Sequence, residues 1–79
     1  MLTAKQVADK YFLETRCMLV EIAATLDRVD RAAERQANGQ PFQDERIDLI
    51  RKSLNFLANQ NSGSNRSEQL LLMFSDPVS

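Results

Sequence analysis

The side chains best equipped for chemistry cluster in the run Asp27-Arg28-Val29-Asp30-Arg31-Ala32-Ala33-Glu34-Arg35. Guanidinium groups hold carboxylates and phosphates through paired N–H donors, so several of them converging would make an anion site. Arg16, Arg28, Arg31 and Arg51 are the candidates for such a site, with Arg35 and Arg46 as further members. The alternation of sign points to a plainer use. Asp27 and Arg31 stand four apart in the favourable order, and Arg31 and Glu34 stand three apart. Pairs of that kind lace a solvated helix face and contribute only a few tenths of a kcal/mol each. The expected reading is an ion-paired helix end.

The acidic residues raise the question of a metal centre. Carboxylate-bridged centres in helical bundles draw on Glu-x-x-His pairs, and this chain contains no histidine. Its first half also lacks a Glu-x-x-Glu pair. An all-carboxylate Mg²⁺ site could use Glu14, Glu21, Asp44 or Asp48. Glu14 and Glu21, one heptad apart, are separated by about 10 Å along a helix axis, too far for one ion without a second chain. The absence of histidine further removes the usual general base at neutral pH and the Ser-His and Cys-His nucleophile pairs. One cysteine, Cys17, cannot form an internal disulfide. It lies between Leu13 and Val20 at helical spacing, and Arg16 is about 100° away around a helix, so a buried structural thiol is expected. No catalytic residue, metal or cofactor follows from these residues.

Ten basic against eleven acidic residues give a net charge of −1, without a Lys/Arg block. Nucleic-acid binders carry a basic stripe, so that class of partner is disfavoured. The longest apolar runs, Cys17–Val20 and Leu70–Phe74, fall far short of the ~20 residues that span a bilayer. The N-terminus does not read as a basic region followed by an apolar one, so no signal peptide is expected. A reduced, cytoplasmic setting is the expectation.

Helical periodicity then places these residues. Thr3 with Gln6 three positions later reads as a capping box. No glycine or proline intervenes before Gly39, and Ala37-Asn38-Gly39-Gln40-Pro41 reads as a helix stop. The first helix is expected over about 4–37, roughly 50 Å long. Pro41 suits a first helical position, and Ile47, Ile50, Leu54 and Leu57 follow at spacings of three and four. A second helix is expected over about 41–60. Residues 59–66 read as a polar loop, and Ser67 as the cap of a short helix over about 68–75, ended by Asp76-Pro77. Strand signals are absent, so residues 1–79 are expected to form one all-α domain.

Placed at 100° per residue, the first helix shows two apolar faces. A broad one carries Phe12, Met18, Leu19, Ile22, Leu26 and Val29, with Tyr11, Ala23 and Ala33 beside them. A narrow one carries Leu13, Cys17, Val20 and Ala24. On the second helix, Phe42, Leu49 and Phe56 recur every seven residues opposite the main stripe. Phe12, Phe42, Phe56, Phe74 and Tyr11 are all expected in or beside a core. A compact chain of this length is about 30 Å across, so the first helix overshoots it by about 20 Å. The expected solution is an antiparallel hairpin of the first two helices, flanked by the third and dimerised into a four-helix bundle. Leu13, Cys17, Val20, Ala24, Leu49 and Phe56 are the expected self-interface.

A long first helix, a shorter second and a third, dimerised, resembles the all-helical chorismate mutases. Leu26-Asp27-Arg28-Val29-Asp30 resembles the Ile-Asp-x-Ile-Asp-like run on that family's first helix. The resemblance implies a dimeric enzyme in which Arg16, Arg28, Arg51 and Lys52 clamp a dicarboxylate. Ala23 and Ala24 stand where that family has an arginine shortly before the run. The leading expectation is a non-catalytic helical protein acting through homodimerisation and contact with a protein partner, and the arginine-pocket enzyme is the alternative.

Overall fold

Thr3 stops the chain in an extended conformation and starts a helix behind it. Its Oγ1 accepts the Gln6 N–H at 3.1 Å, and the Gln6 Oε1 accepts the Thr3 N–H at 2.8 Å. This reciprocal box satisfies two donors that the first turn would otherwise leave open. In the computed structural model, which describes residues 1–36, 41–59 and 63–75, that helix is α1, Ala4–Arg35. Its 32 residues extend about 48 Å. Thr25, a poor helix former by propensity, returns its hydroxyl to the Glu21 carbonyl at 2.9 Å. Gln36 closes the helix with its N–H on the Ala32 carbonyl. The glycine of the expected stop, Gly39, lies outside the described residues.

The second helix, α2, covers Glu45–Ala58 and starts four residues later than Pro41. Asp44 takes the N-cap. Its Oδ1 accepts the Arg46 N–H at 2.8 Å, a bond that a proline at position 41 has no side chain to offer. Pro41, Phe42 and Gln43 are therefore outside the helix. Phe42 then sits two residues before the cap, not at the adjoining position from which a staple packs back onto the first turn. Asn59 ends α2, its N–H on the Phe56 carbonyl at 3.2 Å.

The third helix, α3, covers Arg66–Ser75 rather than opening at residue 68. Asn65 holds its first turn with both acceptors. The Asn65 carbonyl takes the Gln69 N–H at 3.1 Å, and its Oδ1 takes the Gln69 Nε2 at 2.8 Å. Ser67 is thus inside the first turn. Gly63 has φ of +85°, a left-handed conformation that glycine adopts without a Cβ penalty. The Asp76-Pro77 stop lies outside the described residues.

The chain divides into two units, Met1–Pro41 and Phe42–Ser79. The first contains α1. In the second, α2 and α3 contact each other. Ser53 of α2 is 6% exposed, the one buried residue among those described. Its hydroxyl donates to the Leu49 carbonyl at 2.8 Å, so burial leaves it satisfied. Ile47, Ile50, Leu54 and Phe56 of α2, with Leu70 and Met73 of α3, are half-buried, whereas Leu57, the last member of the expected stripe, is exposed one residue from the end of the helix. Among the described residues every element is helical, and no apolar side chain is fully buried.

Candidate interaction surface

A 32-residue helix with apolar residues at regular spacing ordinarily buries one stripe. α1 buries none of its residues. Its N-terminal half, residues 4–21, is exposed at every position. Phe12 and Leu19, seven apart, are 66% and 56% exposed, with Tyr11 and Met18 beside them. On the other side Leu13 and Val20, again seven apart, are 66% and 57% exposed. The C-terminal half differs. Ile22, Leu26, Val29 and Ala33, spaced four, three and four, are all half-buried.

The expected self-interface therefore falls on different surroundings. Leu13, Cys17 and Val20 are exposed on one stripe of α1, and Ala24 on the same stripe is half-buried. Leu49 and Phe56 are half-buried on α2. Cys17 is exposed, which corrects the expectation of a buried thiol: its neighbours on the stripe, Leu13 and Val20, are exposed with it. The aromatics are corrected in the same way. Tyr11, Phe12, Phe42 and Phe74 are exposed, and only Phe56 is half-buried. Spacing marks a side chain as fit for burial, but burial needs a second surface opposite it.

The anion-site candidates are not gathered on α1. Arg16, Arg28 and Arg31 are exposed, and Arg16 stands about 18 Å along the axis from Arg28. Arg28 and Arg31 are neighbours, about 60° apart around the helix. Arg51 is exposed on α2. The tightest charge contact is local to the start of α2, where Arg46 Nη2 meets Asp44 Oδ2 at 2.7 Å and Nε meets Oδ1 at 3.1 Å. Those hydrogen bonds, and the backbone N–H of Arg46, hold the Asp44 carboxyl down at about 2, while the carboxylate raises the Arg46 guanidinium. This charge serves the helix cap. Near the start of α1, Lys5 Nζ meets Asp9 Oδ2 at 3.0 Å, and Lys10 Nζ lies 5.5 Å from the centre of the Tyr11 ring.

Among the described residues no three carboxylates or thiols are grouped to hold a metal ion, and no helix is long and apolar enough to cross a membrane. A shallow apolar depression on α3 is lined by Ser67, Leu70, Leu71 and Phe74.

One feature of α1 is absent from the expected interface. Ala8, Phe12, Thr15 and Leu19 follow at spacings of four, three and four along one exposed face. The same spacing continues into the half-buried Ile22, Leu26, Val29 and Ala33, and on this N-terminal stretch small and large side chains alternate while every one of them is exposed. Comparison with protein-family models, with curated proteins and with solved structures gave no match.

Proposed function

We propose that this chain is a non-catalytic helical interaction protein that forms a homodimer and contacts a protein partner through the apolar faces of α1. The observation that carries the reading is the N-terminal half of α1, which presents Phe12, Leu13, Leu19 and Val20 to solvent, each more than half exposed. Two exposed apolar stripes on one helix of a small protein are a mark of an interaction site. Size supports the same reading, since chains of this length usually recruit a staple or a second copy. The assembly that suits the helix order is a four-helix bundle of two α1–α2 hairpins, with α3 on its flanks. The near-neutral charge balance favours a protein partner over a nucleic acid or an anionic membrane. A lone thiol suits a reducing cytoplasm.

Light scattering through a micromolar dilution series tests this. The expected mass is twice the 9.0 kDa of the chain, falling toward one chain on dilution. A Val20→Asp variant should lose either the dimer or the partner, because a carboxylate on the narrow stripe cannot be desolvated without cost. A mass of 9.0 kDa at every concentration overturns the homodimer.

A further inference from the structure

Resting on the homodimer of that reading, and setting a different arrangement in place of its four-helix bundle, we infer that the self-pairing surface is the seam Ala8, Phe12, Thr15 and Leu19, and that two copies meet along it in antiparallel orientation. The exposed segment is short, and its residue sizes match only one arrangement well. Let a two-fold axis pass level with the midpoint between Phe12 and Thr15. Phe12 then faces Thr15 of the second copy, and Leu19 faces its Ala8. Each layer joins one large side chain to one small one, the condition for even packing across a helix pair. A parallel pair would stack Phe12 on Phe12 and leave a hydroxyl layer at Thr15. The antiparallel arrangement also sets opposite ends of the two helix dipoles side by side.

Charge complementarity singles out the same register. Asp9 and Arg16 lie on one flank of the seam, seven apart, and both are exposed. In an antiparallel pair each flank meets its own copy. Centred as above, Asp9 of one chain stands within about 3 Å along the axis of Arg16 of the other, and the symmetry makes this contact twice. Asp9 already engages Lys5 through Oδ2, and a carboxylate has capacity for a second cation. On the opposite flank Tyr11 comes within about 3 Å along the axis of Met18 of the second copy, close enough for a thioether–aromatic contact. A parallel pair would set the Asp9–Arg16 flank against the Tyr11–Met18 flank and make no ion pair.

The area is sufficient, with little to spare. Tyr11, Phe12, Met18 and Leu19 are each about half exposed or more, and at roughly 200 Å² for a large side chain they offer about 450 Å² per copy. Two copies with Ala8 and Thr15 reach the ~1,000 Å² that a specific interface needs. Added salt should loosen the dimer, since its ion pairs are at the rim.

Charge reversal tests orientation and register together. Asp9→Arg alone brings two guanidinium groups together at each contact, and Arg16→Asp alone brings two carboxylates together. Each single variant should therefore dimerise about tenfold more weakly than the wild type. Mixed in equal amounts, the two variants should form a heterodimer of near wild-type affinity, because both contacts become opposite in sign. Sedimentation gives the masses, and far-UV circular dichroism checks that each variant stays helical. A wild-type dimer whose single variants are unaffected, or whose mixture shows no rescue, overturns this pairing and leaves the homodimer standing. A wild type that is monomeric throughout overturns both.

Discussion

α1 and the α2–α3 pair answer the same problem in different ways. α2 and α3 are short, 14 and 10 residues, and they contact each other, with Ser53 of α2 buried. α1 is more than twice as long as α2 and buries nothing. Its regularity rests on local terms: a complete capping box, an i,i+4 ion pair at Lys5–Asp9 and 32 residues without an internal glycine or proline. Local terms make a helix; they do not explain why it carries Phe12, Leu13, Leu19 and Val20 in water. The contrast teaches that the same apolar periodicity can be partly covered within the chain, as on α2 and α3, or left exposed, as on the N-terminal half of α1.

The difference can be broken most forcefully at Ser53. Ser53→Leu enlarges the side chain at the one buried site among the described residues and should destabilise the α2–α3 unit by about 1–3 kcal/mol. Hydrogen exchange should accelerate across α2 and α3 while α1 keeps its protection; equal acceleration in all three helices would show that they unfold together. A smaller effect belongs to the other side of the comparison. Thr3→Ala removes the acceptor for the Gln6 N–H and should cost α1 roughly 1 kcal/mol. Amide exchange at residues 4–7 should rise first, with α2 unchanged.

The smallest effect concerns pH. The Asp44 carboxyl is lowered from 3.8 to about 2 by Arg46, so its bonds favour the folded cap. For a lowered acid this contribution is fully present above the unfolded value of about 3.9 and is lost as pH falls through about 2. α2 should therefore keep its first turn at about pH 4 and fray between about pH 4 and 2, as followed by the Arg46 amide resonance. Asp44→Asn keeps a capping oxygen and should flatten that dependence.

Much of this was legible in single stretches of sequence. The Thr3–Gln6 box involves residues three apart, so a reader of the chain can see both partners. The stripe through Ile47, Ile50 and Leu54 is legible for the same reason, and the all-helical class follows from it. The start of α2 was less so, because Pro41 and Asp44 both signal a beginning and the carboxylate that reaches the Arg46 amide prevails. At α3 the same competition separates Ser67 from Asn65. Burial was the least legible property. Cys17, Tyr11 and Phe12 have the type and spacing of core residues, but what faces them depends on surfaces far away in sequence or on another molecule.

Cys17 has a practical consequence beyond its exposure. It projects about 150° around α1 from Phe12 and Leu19 and within about 60° of Leu13 and Val20. A bulky thiol-directed label placed there shields the narrow stripe and leaves the Ala8–Leu19 seam untouched. One native side chain thus serves as a chemical switch between the two faces: labelled protein that still self-associates but no longer engages a partner would assign each face its own task. The same label, carrying an unpaired electron, would report the spacing between any two copies that pair, without any engineered cysteine.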